Sequence, residues 1–332
     1  MELRTLIPKL AHQRVLVIGD VLLDEYLIGQ ARRMSREAPI PVLEFESRQI
    51  IPGGAANPAC NIAALGSQPV QIGVIGADPA AETLRRVLTE KHIAVDGLVT
   101  DATRPTTVKL RVMAQMGLRF PQQVARLDTL SREPISPQVE QAAIDRLQAH
   151  LPGASAALFS DYHGGFLTPT LVERVRDQCH AAGILLTADA QGALEKYTAF
   201  DVVKCNADDA AAYLGRDLAD DADFASAAYD LCKALHLRRG MVITRGPAGA
   251  TAVTPAGLVD HCRAPAVTDV YDTVGAGDTA IAVLTLALGA GASLRDATML
   301  ANYASGLVVR RVGNYAPSPE ELDWALDQWV VS

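Results

Sequence analysis

The chain lacks paired cysteines, histidine ligand motifs, an apolar run long enough for a membrane and any excess of positive charge. Its five cysteines (Cys60, Cys179, Cys205, Cys232 and Cys262) are scattered without C-x-x-C spacing. That pattern argues for reduced thiols rather than a disulfide framework or a zinc site. The seven histidines form no H-x-x-x-H or H-E-x-x-H pair. A net charge of −8 leaves no basic footprint, so nucleic acid is not an expected partner. The uncharged, apolar stretch 279–294 is broken by Gly289 and Gly291 and falls short of the ~20 residues a membrane helix needs. The N-terminus carries Glu2, Arg4, Lys9 and Arg14 with no apolar run behind them, unlike a signal peptide. The expectation is a cytoplasmic protein without a membrane span. Walker A and G-x-S-x-G motifs are also missing, which removes the P-loop and α/β-hydrolase readings.

What is there is an ordinary globular composition, 332 residues with 49% hydrophobic and 20% charged. Short apolar runs at 15–18, 70–75, 156–159, 184–187, 202–203 and 241–244 look like buried parallel strands. Between them lie helical patterns at 57–65, 80–90, 137–149, 169–182 and 224–235. This alternation predicts a doubly wound α/β fold with a mainly parallel sheet. Two segments depart from it. In 42–46 and 107–112, apolar residues alternate with Glu44 and Glu46, and with Lys109 and Arg111. Period two means a strand with one wet face, so these segments predict a small separate sheet beside a cleft, with an edge strand of the main sheet as the plainer reading. No linker divides the chain, and one domain over 1–332 is expected.

Four constellations carry chemistry. Gly275, Ala276 and Gly277 leave backbone N–H groups bare where the uncharged helical run 280–290 begins, and a helix N-terminus attracts phosphate. Asp278 would repel an anion there unless its task is to take a proton from the attacking group. Anion hole plus positioned base is what phosphoryl transfer to an alcohol requires. Asp20 and Asp24 follow the first strand, where ligands of doubly wound sheets bind, and could accept hydrogen bonds from sugar hydroxyls; turn residues are the plainer reading. Gly53 and Gly54 let a ligand approach the backbone before Asn57, which doubles as a helix cap. The turn 244–249, with Thr244, Gly246 and Gly249, follows a strand and suits nucleotide phosphate or ribose as well as a simple hairpin. The rival for 275–280 is a dinucleotide fingerprint, G-x-G-x-x-A. The segment 266–271 before it is a poor buried strand, and Asp296, about where an acidic ribose partner would fall, lies inside a helical pattern.

Together these features resemble the ribokinase-like (PfkB) carbohydrate kinases, from about Arg14 to Leu322. GGAANPACNIAALG at 53–66 and DTVGAGDTAIA at 272–282 correspond to the two family signatures. Within the family, GDVLLDEYLIG at 19–29, RMSREAPIPVLEFE at 33–46, TTVKLRV at 106–112 and QQVARLD at 122–128 look most like the heptose 7-phosphate kinases. The resemblance implies a three-layer α/β/α sandwich with a small β lid from about 24–50 and 104–128, often pairing subunits into a homodimer. It implies ATP, Mg²⁺ and possible K⁺ dependence, with a sugar or sugar phosphate as acceptor. It makes Asp278 the base, 275–277 the anion hole, and Asp20, Asp24, Gly54 and Asn57 the sugar site. Thr244 and Gly246 would line the nucleotide site, with Asn206 opening the magnesium-associated motif. Asp272, Val274 and the 311–313 loop with Gly313 would border a monovalent cation. Lys109, Arg111 and Arg126 suit an acceptor that already carries phosphate.

This sequence departs from the family pattern twice. N-x-x-E reads Asn206-Ala207-Asp208-Asp209, so Asp209 would reach Mg²⁺ through water. D-P-K-G reads Asp189-Ala190-Gln191-Gly192, losing a lysine. The resemblance also implies that the nucleotidyltransferase domain fused to some heptose kinases is absent. The less favoured readings are a kinase of another sugar or of a nucleoside, a silent sugar or nucleotide sensor, and an NAD-dependent dehydrogenase.

Overall fold

A computed structural model describes residues 2–117, 121–267 and 269–329. The expected lid segment 104–128 therefore includes three residues, 118–120, outside the described ones. The main sheet has nine strands, in the order Val259–Cys262, Ala250–Val253, Gly240–Thr244, Val202–Asn206, Leu185–Asp189, Ala156–Ser160, Arg14–Gly19, Gln68–Ile75 and Leu98–Thr100. The first three are joined by two antiparallel pairings, and every other pairing is parallel. The central strands are buried throughout, which is why their sequences read as continuous apolar runs rather than as alternation.

Helices cover both faces and give two cores. One core joins Ala56–Ala64, Pro79–Glu90, Ala276–Gly289 and Leu294–Val308 to the sheet. The other joins Pro137–His150, Pro169–Ala181 and Asp221–Ala234 to the opposite face. Several helices start where a side chain takes up an orphan N–H. Ser136, Thr168 and Ser293 cap Val139, Leu171 and Asp296 in this way, and Ser318 forms a reciprocal box with Glu321. The chain leaves Arg14–Gly19 in one direction to Gln68–Ile75 and returns on its other side as Ala156–Ser160. That reversal opens a crevice at the strands' carboxyl ends, the usual place for a ligand in such sheets.

Over the crevice lies a four-stranded sheet in the order Pro41–Gly54, Val21–Met34, Val108–Gln115, Gln122–Thr129. Its two central strands are parallel and both outer pairs antiparallel. The alternation seen at 42–46 and 107–112 belongs to this separate sheet. The pairing of the first two strands is interrupted by bulges between Ile28 and Gly29 and between Ala31 and Arg33. Phe45 and Leu127 are 71% and 66% exposed on it.

Candidate active site

The helix Ala276–Gly289 begins with Gly275 at φ 81° and no side-chain cap; Ala276 N donates to Thr273 O at 3.3 Å, and no side chain takes up the N–H groups of Gly277 and Asp278. Left-handed backbone favours glycine there. A Cβ at Gly275 would also sit 2.9 Å from Asn57 Nδ2 and 3.1 Å from Asn314 Oδ1. The helix is uncharged beyond Asp278 because it is buried on nearly every side, and this anchors its N-terminus rigidly at the crevice.

Asp278 is buried. Asn57 Nδ2 donates to its Oδ2 at 2.7 Å, and the Tyr162 hydroxyl donates to its Oδ1 at 2.8 Å. Burial, then the nearby Asp189 charge, pushes its carboxyl up to about 7; the bonds from Asn57 and Tyr162 and the Lys204 charge oppose this. Asn57 is not the helix cap expected from the sequence, since it lies inside the helix Ala56–Ala64 with Ala55 at the cap position, and it is itself held. Asn61 Nδ2 donates to its backbone and side-chain oxygens at 3.0 and 3.3 Å, and Thr279 fixes Asn61 at 2.9 Å. A buried carboxylate poised near neutrality is what a general base needs.

Beside this helix N-terminus lies a pair that the sequence reading did not single out. Lys204 Nζ bonds Asp189 Oδ1 at 2.6 Å, with both side chains almost fully buried. A Cβ at Gly277 would be 3.3 Å from that ammonium. The chain thus has a buried cation beside the site although position 191 is glutamine. The available signal was a lysine directly after the apolar pair at 202–203, in the middle of what is the buried strand Val202–Asn206, a position rarely tolerated without a partner.

One cavity of about 530 Å³ is lined by Asp278, Gly275, Gly277 and Lys204, and by Asn206, Thr244 and Gly246 among others. Gly249 is not among its lining residues. It serves the hairpin between Gly240–Thr244 and Ala250–Val253, at φ 91°, where a Cβ would meet the Cys262 carbonyl oxygen at 2.2 Å. Asn206 caps the helix Ala207–Leu214 by accepting from Asp209 N at 2.7 Å. Asp209 Oδ1 accepts from Gly192 N at 3.0 Å, while its buried Oδ2 has no protein partner. Burial raises this carboxyl, and the Asp189 charge adds to the rise against the Gly192 bond. An orphaned carboxylate oxygen is a natural ligand for a hydrated Mg²⁺, but Asp208, not Asp209, is among the residues that line this cavity.

On the lid side the expected residues gather, but with partners. Asp20 accepts from Tyr162 N, Gly164 N and Phe166 N at 3.0, 2.9 and 3.2 Å, so it ties down the loop after Ala156–Ser160. Asp24 is bonded by Arg111 and by Asn314 Nδ2 at 3.0 Å. Arg111 is therefore spent on Asp24 rather than open to phosphate. Arg126 grips Asp128 through two 2.9 Å bonds. Gly54 lies against the Asp20 carbonyl, where a Cβ would approach to 2.3 Å. A small cavity of about 100 Å³ is lined by Lys109, Arg126, Asp128, Arg132, Tyr162 and His163, among others.

The loops expected to border a monovalent cation are joined. Asp272 accepts from Val274 N at 3.0 Å and Gly313 N at 2.9 Å, and Tyr271 N and Asp272 N both donate to Val309 O. Arg310 turns to Asp269 and two tryptophan rings, and Arg311 to Glu321 and Tyr315.

Comparison with known proteins agrees with this arrangement. Residues 12–321 match the pfkB family carbohydrate kinase profile. The chain is 37% identical to the bifunctional protein HldE of Hyphomonas neptunium over 98% of its length and 66% of that protein's. It is 38% identical to the HldE of Geobacter sulfurreducens over 92% of its length and 61% of that protein's. The chain thus spans about two thirds or less of these relatives. In fold it is similar to phosphofructokinase-2 from Escherichia coli in complex with substrates and products, with a TM-score of 0.78 at 20% identity over 96% of this chain and 99% of that one. Ribokinase from Arabidopsis thaliana complexed with ribose and ATP gives a TM-score of 0.72 at 18% identity, over 95% and 99%. A mainly parallel three-layer α/β fold with a small second sheet over its crevice defines the class. The chain belongs to the pfkB family of carbohydrate kinases.

Proposed function

We propose that this chain transfers the γ-phosphoryl group of ATP to a sugar hydroxyl, with heptose 7-phosphate, accepting at its anomeric hydroxyl, as the first acceptor and another phosphorylated sugar as the second. The observation that carries this reading is Asp278, buried between Asn57 and Tyr162 at the open N-terminus of a helix. Asp278 removes the hydroxyl proton as charge builds on the attacking oxygen. The N–H groups following Gly275 and the Lys204 ammonium face the charge on the transferring phosphoryl group. The lid strands exclude water and so limit ATP hydrolysis. Kinship with HldE proteins at 36–38% identity supports the heptose acceptor, and the lid-side cations support an acceptor carrying phosphate. A coupled ADP-release screen over sugars, sugar phosphates and nucleosides tests the reading; turnover only with a nucleoside or an unphosphorylated sugar removes the heptose phosphate, and no ADP release with any acceptor removes the kinase.

Two ions enter through this chain's residues. Mg²⁺ would be held through water by Asp209, and it would supply charge neutralisation for the ATP phosphates. Asp209→Ala is expected to raise the Mg²⁺ concentration giving half-maximal rate, and an unchanged titration would show that the side chain does not face the metal. K⁺ would sit where Asp272, Val274 and Gly313 close together, ordering the anion hole. Replacing K⁺ by tetramethylammonium in the same assay should slow turnover, and equal rates reject a requirement. The exposed Phe45 and Leu127 support a homodimer through the lid. Sedimentation velocity on Phe45→Glu is expected to show a shift towards monomer; a parent that sediments as a monomer rejects the pairing.

A further inference from the structure

Tyr162 stands where two cavities meet. It lines both the nucleotide-side cavity and the small lid-side cavity, whose linings otherwise have no described residue in common. Its hydroxyl bonds Asp278 at 2.8 Å. Its ring lies under Lys109, whose ammonium is 5.4 Å from the ring centroid. Its backbone N–H is fixed on Asp20 at 3.0 Å, so the residue is anchored independently of what its side chain does. One phenol therefore spans from the base to the cation pocket.

That pocket draws on both halves of the molecule. Lys109 and Arg126 come from lid strands, whereas Arg132 and His163 come from loops of the main body. Arg126 is held by Asp128, and His163 Nδ1 lies 4.0 Å from the Asp161 carboxylate. Among the described residues, the Lys109 ammonium meets the Tyr162 ring and no carboxylate within ion-pair distance, and Arg132 has no acidic partner within that distance. An anion bridging Lys109 and Arg132 would tie lid to body, and cations that are partly removed from water bind phosphate strongly.

We propose that Tyr162 is a positioning and specificity-determining residue, a spacer that admits acceptors whose phosphate lies one sugar ring away from the reacting hydroxyl. The phosphate enters the Lys109–Arg132 pocket, the sugar lies along the phenol ring, and the hydroxyl reaches Asp278. The phenol keeps its own proton and donates it to Asp278 as a hydrogen bond, so the carboxylate turns a fixed lone pair to the acceptor. Burial and the Asp278 charge hold the phenol well above the ordinary tyrosine range, which keeps it a donor. A short anion or a neutral sugar satisfies one end of the spacer and leaves the other empty. This inference rests on the sugar-kinase reading above and adds the rule by which the acceptor is chosen.

Two variants separate the two ends. Tyr162→Phe removes only the hydroxyl. It is expected to lower kcat about 10- to 100-fold, as for loss of a hydrogen bond to a charged group, with the acceptor KM nearly unchanged. It should also move the acidic limb of the pH–rate profile upward, because a bond that favoured the carboxylate is gone. The other groups facing Asp278, namely Asn57, Cys60, Asp189 and Lys204, are unchanged in this variant. Tyr162→Leu removes the ring, and the preference in kcat/KM for heptose 7-phosphate over the dephosphorylated heptose should fall about tenfold or more, the cost of losing one ordered contact. A Phe variant with parental kcat and pH profile, or a Leu variant with parental preference, overturns the proposal. Calorimetric binding of the same two sugars needs no turnover. Phosphate-dependent binding that disappears in Arg132→Ala upholds the pocket even where no product forms, while equal binding of both sugars overturns it.

Discussion

Asp278→Asn is expected to reduce kcat by roughly 10²- to 10⁴-fold with the fold intact, the range for removing a general base. The substitution keeps the side chain's size and leaves Asn57 and Tyr162 in place on either side. It also removes a buried carboxyl that burial and Asp189 push up to about 7, so the variant does not leave an unpaired charge behind. The same shift sets the pH dependence of the parent. Only ionised Asp278 accepts a proton, and its ionised fraction falls as pH drops through about 7. Rate under kcat/KM conditions should therefore decline on the acid side of neutrality, with a slope of one proton. Equal turnover in Asp278→Asn and the parent would remove this residue from the mechanism; a flat profile down to pH 5 would show that the carboxyl is not raised.

Lys204→Met carries the second large effect, a kcat loss of roughly 10²- to 10³-fold, comparable to removing one preorganised donor to developing charge. The physical ground is position. The ammonium lies almost dry beside the anion hole, 2.6 Å from Asp189, where a charge acts far more strongly than in water. Its removal also leaves Asp189 buried without its partner, which costs about 3–5 kcal/mol of stability for a broken buried pair. The double variant Lys204→Met, Asp189→Asn separates the two consequences, because it restores neutrality without restoring the cation. It should fold with near-parental stability and remain slow. Recovery of parental turnover in the double variant would mean that Lys204 serves only to neutralise Asp189. In the single variant the acidic limb should move upward, since Lys204 holds the Asp278 carboxyl down and the remaining Asp189 charge holds it up.

Much of this site was legible in local sequence because the chemistry there is a backbone requirement. Small residues at 275–277 before an uncharged run announce an open helix N-terminus, and the helix Ala276–Gly289 starts there. Paired glycines at 53–54 announce a close approach, and a Cβ at Gly54 would meet the Asp20 carbonyl. Alternation at 42–46 and 107–112 announced a separate sheet, and those residues lie in it, but the expected wet and dry faces do not form there, since Phe45 is 71% exposed and 108–113 are all half-buried. Gly249 shows the limit of such reasoning, since a glycine after a strand reads the same whether it faces a ligand or turns a hairpin.

By itself, then, the sequence determined the α/β class, the strands that would be buried, and the uncapped helix N-terminus with an aspartate in its first turn. These follow from periodicity and from which residues a given backbone conformation tolerates, and both are local properties. The tertiary structure alone decided which charges are committed and which remain open. Arg111 looked like a phosphate ligand but is bound to Asp24, 87 residues away. Tyr162 and Asn57 reach Asp278 across 116 and 221 residues, and Lys204 fills the neighbourhood of the anion hole from a strand that read only as apolar. A side chain's charge is written at its position, but its partner is set by the strand order that folds distant segments onto one crevice, and no local pattern records that pairing.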